Sequence, residues 1–153
     1  LCCLARLRGV PVTVLPESSY DHWVGRSFKG GKVVGNALQT SYRRRALSER
    51  NKSYTFFVCW PTALVYPCFA FHLVILSLEG LLLSALKADR NIFRSIYLPC
   101  VTSVWKEKNC LMQERNRVQR SSRIGLVRFL RVFTPVPYKM KMLMRFGLPA
   151  IRS

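Results

Sequence analysis

The sequence predicts a mostly α-helical fold, in which the end of an α/β unit is followed by amphipathic, membrane-associated helices. Three observations lead to this prediction. Valines alternate with other residues directly after Gly9, as in a short strand. Beyond residue 36, apolar residues recur at helical spacing over most of the chain. Within this second region lies a stretch of 23 residues, Phe56 to Leu78, without a formally charged side chain.

The length of 153 residues suits one ordinary domain, which we divide into three regions. Residues 1–35 are the helix end, the strand and a loop, residues 36–133 are the helical, membrane-associated extension, and residues 134–153 are a basic tail. The chain does not begin with Met and opens within a helical pattern. We therefore expect it to be a fragment that lacks an N-terminal part.

The charge balance is strongly basic, with 25 Lys and Arg against 7 Asp and Glu and a net charge of +18. Such a chain favours anionic partners, which are nucleic acid, anionic lipid headgroups or phosphorylated substrates. The six cysteines show no C-x-x-C spacing and predict neither a zinc site nor a disulfide framework. They are expected to be free thiols in a reducing compartment.

The N-terminal region predicts a helix end, a strand and a loop. Gly9 ends the helix, and Val10, Val12 and Val14 form the strand before Pro16 stops it. An Asp-His-Trp triplet follows at residues 21–23, and four glycines lie between residues 25 and 36. From these residues alone, His22 is either a loop histidine or a ligand, and the glycine-rich loop is either a flexible surface loop or a phosphate-binding one.

The first long helix is predicted from about Asn36 to the uncharged stretch. One face of this helix is marked by residues at helical spacing: Leu38, Tyr42, Ala46, Leu47, Asn51, Tyr54 and Val58. The opposite face carries the basic residues Arg43, Arg44, Arg45, Arg50 and Lys52. This basic face is predicted to contact solvent or lipid headgroups.

The uncharged stretch is long enough to cross a bilayer, but several of its residues argue against a simple span. Pro61 and Pro67 interrupt it, and Glu79 is expected to close it before a second apolar run, Gly80 to Leu86. Two shorter helices in the membrane interface, or packed as a hairpin, are therefore predicted beside the alternative of a true span. His72 is expected to be a hydrogen-bonded core or interface residue.

A second long helix is predicted to start near Ala88 and to be kinked or broken by Pro99. One face of this helix is marked by residues at helical spacing: Phe93, Tyr97, Cys100, Val104, Leu111, Arg115 and Val118. Its far half is strongly basic. One more short helix is predicted between Gly125 and Phe133.

Three segments, taken in order, resemble the C-terminal half of a family 2 glycosyltransferase, a rhamnosyltransferase-like enzyme of the GT-A type. The first segment, residues 1–28, matches a Leu-Cys helix that ends in Arg-x-x-Gly, a strand, a Pro-x-Ser turn and a histidine motif; the matching residues are Leu1, Cys2, Arg6, Gly9, Pro16, Ser18 and His22. Residues 41–61 resemble the family's Glu-Arg-Asn helix, and residues 104–122 resemble its terminal helix with Val-Gln-Arg. Leu4 departs from the family's usual Arg.

The resemblance implies a donor site formed by His22 and the glycine-rich loop after it. It implies that His22 faces the donor diphosphate and binds a divalent metal, Mn²⁺ or Mg²⁺. Arg26, Ser27 and Lys29 would close over the diphosphate. Trp23 would contact the sugar or acceptor, although on pattern alone it is also a candidate core residue. The catalytic base would lie in an acidic pair before Leu1, so the resemblance predicts no catalytic residue within this chain and no activity for the chain alone.

The function implied by the resemblance is inverting transfer of a sugar from a nucleotide-sugar donor to a lipid-linked or polysaccharide acceptor, in cell-wall or polysaccharide synthesis. The location implied is the cytoplasmic face of the cell membrane, with an anionic membrane surface as partner. Two alternatives remain: a basic nucleic-acid-binding protein, and a small membrane protein without catalysis. The first leaves the uncharged stretch unexplained and shows no RRM, zinc-finger or helix-turn-helix pattern, so nucleic acid is not the expected partner.

Overall fold

A computed structural model describes residues 2–13, 33–34, 37–61, 64–131 and 136–152, and these residues are mostly helical, as predicted. The elements in chain order are α1 (Cys2–Leu7), β1 (Val33–Val34), β2 (Ala37–Ser41), α2 (Tyr42–Cys59), α3 (Val65–Leu86), α4 (Arg90–Ile92), a π-helical turn (Phe93–Tyr97), α5 (Leu98–Lys106), α6 (Lys108–Arg120), α7 (Leu126–Leu130), α8 (Tyr138–Phe146) and β3 (Ala150–Arg152). The long helices α2 and α3, with the helical segment 90–120, form the core of the fold.

The N-terminal helix ends at Gly9, as predicted. Gly9 has a φ of +77°, and its N–H donates to the carbonyl of Arg6 at 2.8 Å, while Val10 donates to Ala5 at 3.0 Å. This is the left-handed helix end that glycine allows without a steric penalty. The strand predicted to follow is not formed over residues 10–13, and Val10 and Val12 are each 53% exposed. Its last residue, Val14, lies outside the described residues.

The first long helix begins later than predicted, at Tyr42 instead of near Asn36. Ser41 caps it, because the Ser41 hydroxyl accepts a hydrogen bond from the backbone N–H of Arg44 at 3.3 Å. Residues 37–41 form strand β2, which pairs antiparallel with β1 and parallel with β3. The pairing with β3 comes from the far end of the chain, so local periodicity gives no sign of it.

The buried face of α2 agrees with the prediction in part. Tyr42, Ala46, Tyr54 and Val58 pack against the core as predicted, but the residues that are fully buried are Glu49, Ser53 and Phe57. Asn51, which was predicted on this face, is exposed. The prediction missed Glu49 and Ser53 because polar residues do not count as core residues in a hydrophobic pattern.

The helical run is interrupted at Pro61 as predicted, since α2 ends at Cys59. From Val65 to Leu86, however, α3 is one continuous helix, so the interruption predicted at Pro67 and the end predicted at Glu79 are wrong. Pro67 is its third residue, where the missing N–H would have no partner within the helix in any case. Glu79 lies in the middle of the helix and turns towards α2 instead of ending it. The chain then reverses at residues 87–89 and returns along α3.

The returning segment carries the break predicted at Pro99. The helix is π-wound over Phe93–Tyr97, directly before Pro99, and a second break at Glu107 separates α5 from α6. The predicted apolar face is confirmed: Phe93 packs against the core, and the other six members of the face are buried. The short helix predicted after Gly125 is also confirmed, as α7.

The core consists of three clusters along the helices. The first joins Leu76 and Leu83 of α3 to the segment around Ile96, and the second joins Val65 and Phe69 to Val104 and Leu111. Helix α3 therefore runs antiparallel to the segment 90–106. The third cluster joins α1, α2, α6 and α7 and consists of Leu7, Cys59, Val118 and Phe129. The segment predicted as a basic tail contains α8 and β3.

Candidate functional site

All five residues of the predicted donor site lie outside the described residues: His22, Trp23, Arg26, Ser27 and Lys29. The structure describes the elements that flank this site in the chain, α1 before it and the β1–β2 strands after it. Among the described residues, no group of three or more His, Cys, Asp or Glu side chains is arranged to hold a metal ion. The predicted ligand, His22, is not among those residues.

The three segments that carry the family resemblance meet in space. Leu7 of the first segment, Cys59 of the second and Val118 of the third are neighbours in the third core cluster. The backbone N–H of Arg123 donates to the carbonyl of Leu7 at 2.7 Å, and the side chain of Arg6 donates to the carbonyl of Arg128 at 2.9 Å. We call this contact between α1, α2, α6 and α7 the junction.

At the junction, polar side chains of α6 cap the C-terminal end of α2. Arg115 is only 3% exposed and donates to the carbonyls of Phe57 and Trp60. Gln119 donates to the carbonyl of Val58 at 3.0 Å. The last carbonyls of a helix have no partner within the helix, and they attract positive charge. These two side chains therefore fix α6 on α2, which is a structural role that the resemblance did not assign.

Burial of Arg115 is partly compensated by its surroundings. Its guanidinium lies over the ring of Phe57, 5.6 Å from the centroid, in addition to the two carbonyl contacts. Burial lowers the pKa of Arg115 from its usual value. An arginine remains charged at neutral pH even so, because its ordinary pKa is above 12. The carbonyl acceptors and the aromatic face offset part of the cost of burial, while Nη2 of Arg115 is buried without a hydrogen-bond partner.

A second polar cluster lies between α2, α3, the π-turn and α8. Arg45 donates to Glu79 at 2.7 Å and to the hydroxyl of Tyr97 at 3.1 Å, and Tyr97 donates to Glu79 at 3.0 Å. Lys139 of α8 contacts Glu49 at 2.8 Å and Glu79 at 2.7 Å. We call these five residues the ionic cluster.

The ionic cluster corrects the prediction that Arg45 belongs to a solvated basic face. The side chain of Arg45 is only 15% exposed and turns inwards to Glu79, while Arg43 of the same face is exposed. The prediction missed this because the partners Glu79, Tyr97 and Lys139 lie far along the chain. Two of only seven acidic residues, Glu49 on the predicted first helix and Glu79 inside the long apolar region, were the available signal.

The electrostatics of the cluster favour charged Glu49 and neutral Tyr97. Burial alone would raise the pKa of Glu49, but Lys139, Lys52 and Arg45 outweigh it and hold that pKa below its usual value. Burial raises the pKa of Tyr97, which therefore stays protonated and donates its hydrogen bond to Glu79. The cluster is thus a set of paired charges. Beside it lies a cleft of about 350 Å³ between α2 and α8, with Arg44, Ser48 and Lys52 on its walls.

His72 has the role that the sequence predicted, which is that of a hydrogen-bonded interface residue. Its Nε2 lies 2.9 Å from the buried hydroxyl of Ser53, and its ring stacks on Phe56 with centroids 5.2 Å apart. Ser53 also donates to the carbonyl of Glu49. These contacts join α3 to α2 and provide no exposed nucleophile, because Ser53 is fully buried.

One side of α3 is apolar and exposed. The exposed residues recur at helical spacing, and we call them the α3 stripe: Phe71, Val74, Ile75, Leu78, Leu81, Leu82 and Leu86. Phe71 is 67% exposed and Leu82 is 60% exposed. Helix α3 has the length and composition of a membrane-crossing helix, a property that core helices of soluble proteins also show. An exposed apolar surface of this length is typical of a membrane or protein contact.

Basic residues lie at both ends of the α3 stripe. Lys87, Arg90 and Arg94 follow the C-terminal end of α3 and are exposed. Lys106 and Lys108 are also exposed, and they lie near its N-terminal end because the neighbouring Val104 and Leu111 pack on Val65 and Phe69.

Comparison of the chain with protein-family models, with curated proteins and with solved structures finds no match.

Proposed function

We propose that this chain is the C-terminal part of an inverting, GT-A-type family 2 glycosyltransferase. The observation that carries the proposal is the junction. The three segments selected by resemblance are far apart in the chain, and yet Leu7, Cys59 and Val118 of those segments share one core cluster. If the three segments resemble the family because they share its fold, they are expected to pack together in one structural unit.

In this proposal, α1 is the last helix of the catalytic domain, and the junction fixes it to the helical extension. The exposed Val10 and Val12 after α1 are compatible with a strand whose neighbours belong to that domain. The chain then enters residues 14–32, which carry the proposed donor site. The extension would thus hold the donor site at a fixed position relative to the membrane.

The proposed reaction is a displacement at the anomeric carbon of the sugar. A carboxylate upstream of Leu1 takes the proton of the acceptor hydroxyl, the acceptor oxygen bonds to the anomeric carbon, and the nucleotide diphosphate leaves. Arg26 and Lys29 would bind the negative charge that develops on the diphosphate, with Ser27 as a further donor. A divalent cation held by His22 would supply Lewis-acid stabilisation of the same charge.

The acceptor in this proposal is lipid-linked or a glycan, presented at the cytoplasmic face of the membrane. The α3 stripe would enter the apolar part of the leaflet, and the basic residues at its two ends would contact anionic headgroups. This arrangement supports a membrane-bound acceptor over a soluble one. The same surface would serve a membrane protein without catalysis, so the test must measure sugar transfer.

The test uses the longest natural polypeptide that contains this chain, with and without His22→Ala. We expect His22→Ala to lower kcat by roughly 10²- to 10³-fold, because one charge-stabilising contact of the transition state is lost. The response to Mn²⁺ should also weaken. Arg117→Ala is the control, since Arg117 is 77% exposed at its side chain and lies on α6. Normal turnover with an unchanged Mn²⁺ response in His22→Ala would remove His22 from the donor site, and absence of any transfer by the natural polypeptide would refute the proposed function.

A further inference from the structure

A groove lies between α3 and the helical segment formed by α5 and α6, beside the α3 stripe. Its volume is about 290 Å³. The floor consists of side chains of the second core cluster, such as Phe69 and Leu111, which are 7% and 5% exposed. Tyr66 and Trp105 also line this cavity, and they form its open edges, since they are 59% and 67% exposed. We call this cavity the groove.

The groove carries one positive charge. Among the described residues that line it, Lys108 is the only charged one. Lys108 is exposed, and it forms no ion pair or side-chain hydrogen bond with any other described residue. The neighbouring Glu107 does not line the groove, and Glu114 is paired with Arg117 at 2.7 Å. The ammonium group is therefore available to an anion at the open side of an apolar cavity.

The lining suits an acyl chain better than a peptide. A peptide brings backbone N–H and C=O groups that need partners, whereas the strongly polar atoms of the described lining belong only to the edge residues Tyr66, Trp105 and Lys108. An acyl chain has no such groups. Ligand pockets begin at roughly 300 Å³, so the groove suits one chain and not a complete lipid. Aromatic and lysine side chains at its edges are typical of the boundary between membrane and water.

The groove is continuous with the α3 stripe. Ala70 lines the groove and is exposed, and it lies about one helical turn before Val74 of the stripe. Leu73, which also lines the groove, directly precedes Val74. If the stripe enters the leaflet, as proposed above, an acyl chain of that leaflet reaches the groove without crossing water.

We propose that the groove binds one acyl chain of an anionic membrane phospholipid, with the phosphate of that lipid in contact with the ammonium group of Lys108. The inference rests on the membrane contact in the proposed function and is independent of sugar transfer. A lipid held in this way fixes the N-terminal end of α3 and the start of α6 to the leaflet. It also gives the membrane contact a preference for anionic lipid beyond general attraction to surface charges.

The experiment uses the full chain on vesicles of neutral phosphatidylcholine that contain a small fraction of a photoreactive lipid. This lipid carries a diazirine near the end of one acyl chain and is either anionic phosphatidic acid or phosphatidylcholine. After illumination, proteolysis and mass spectrometry locate the label. Label on the buried Leu111 reports the groove, label on Leu82 reports the stripe, and their ratio removes differences in overall vesicle binding. We expect a ratio roughly fivefold higher with phosphatidic acid, the effect of one basic residue on an anionic headgroup.

Three variants test the parts of the proposal. Lys108→Gln should lower the ratio for phosphatidic acid to the value for phosphatidylcholine. Lys106→Gln is the matched control, since Lys106 is exposed but does not line the groove, and its ratio should equal that of the parent. Ala70→Phe fills the groove from an exposed position, so label on Leu111 should fall with both lipids while label on Leu82 remains.

The proposal is overturned if the parent shows the same ratio for both lipids, because the groove then does not select an anionic lipid. It is also overturned if Lys108→Gln and Lys106→Gln have equal effects, or if label on Leu111 persists in Ala70→Phe. Sugar transfer is not measured in these experiments, so failure of this proposal and failure of the proposed function are separate results.

Discussion

At the scale of single residues, the fold depends on polar side chains in its interior. Glu49, Ser53 and Arg115 are buried, and each has hydrogen-bond or ion-pair partners from another part of the chain. Buried charges cost stability unless they are paired, so these residues fix which helices can be neighbours. Glu49 is the clearest case, because it connects α2 to α8 through Lys139.

Replacing Glu49 by Gln should destabilise the protein by about 1–3 kcal/mol at pH 7, the usual cost of leaving buried polar groups without a partner. The control is Glu114→Gln, which removes an exposed pair with Arg117 and should cost about 0–1 kcal/mol. Urea unfolding in detergent measures both. A loss no larger in Glu49→Gln than in the control would contradict the structural role of the ionic cluster.

The stability difference between the parent protein and Glu49→Gln is expected to depend on pH. The pKa of Glu49 is lowered in the folded state relative to its ordinary value of 4.5, so its charged form stabilises the fold above that value. This contribution is lost as the pH falls through the folded-state pKa. We therefore expect the stability difference between the parent protein and Glu49→Gln to shrink below pH 4.5 and to stay constant between pH 6 and 8. A difference that persists unchanged to pH 2 would contradict this assignment.

At the scale of elements, close packing joins α3 to the returning helical segment. Gly80 of α3 is buried against Tyr97, and a Cβ at Gly80 would lie 2.5 Å from the ring carbon Cγ of Tyr97. The π-turn just before Pro99 sets the position of Tyr97 on this face. Glycine is therefore needed at residue 80 for the space it leaves, and not for an unusual backbone conformation.

Gly80→Ala should destabilise the protein, although alanine is the better helix former by about 1 kcal/mol. The clash involves the atoms next to the backbone of Tyr97, which cannot move away as a flexible chain end can, and overpacking of this kind costs about 1–3 kcal/mol. We expect a lower midpoint of urea unfolding. Gly125→Ala is the control, since nothing lies within 4 Å of its added Cβ. A midpoint for Gly80→Ala at or above that of the parent would show that the two helices are not packed in this way.

The elements also show how far sequence reasoning reaches. The buried face from Phe93 to Val118 could be predicted, because nearly all its members are apolar and their helical spacing continues through the π-turn. The polar core residues of α2, Glu49 and Ser53, could not, because they belong to the core only through distant partners. Strand β2 was missed because β3 pairs with it from the other end of the chain. The donor-site residues, such as His22, remain predictions from resemblance, since they lie outside the described residues.

At the scale of the whole molecule, the packing restricts how α3 can meet a membrane. If α3 alone crossed the bilayer, α2 and the segment 90–120 would lie on opposite sides. The capping of α2 by Arg115 and Gln119 requires them to be on the same side. The basic residues at both ends of the α3 stripe agree with this, because Lys and Arg concentrate on the cytoplasmic side. A helix lying in the interface satisfies both conditions. A hairpin of α3 with the segment 90–106 satisfies only the first, because its turn, with Lys87 and Arg90, would lie on the far side of the membrane.

We therefore expect the chain to bind anionic vesicles, with weaker binding to neutral vesicles and at high salt. Leu78→Gln with Leu82→Gln should weaken binding, because each change removes an exposed apolar side chain worth about 1.5–3 kcal/mol on full burial. Val127→Gln is the control, since Val127 is 73% exposed on α7, away from the stripe. Equal binding of the double variant and the control would exclude the α3 stripe as the membrane contact.

Sidedness distinguishes the remaining arrangements from a single span. Single cysteines replacing Arg43 on α2 and Arg117 on α6, in a background without the native thiols, are labelled in sealed vesicles with a reagent that does not cross the bilayer. Both positions should react from the same side, because α2 and α6 are in contact through Arg115 and each residue is exposed. Labelling from opposite sides would establish that α3 crosses the membrane alone. It would also require the capping contacts between α6 and α2 to be broken in the membrane-bound protein, so the junction itself would have to differ from the one described.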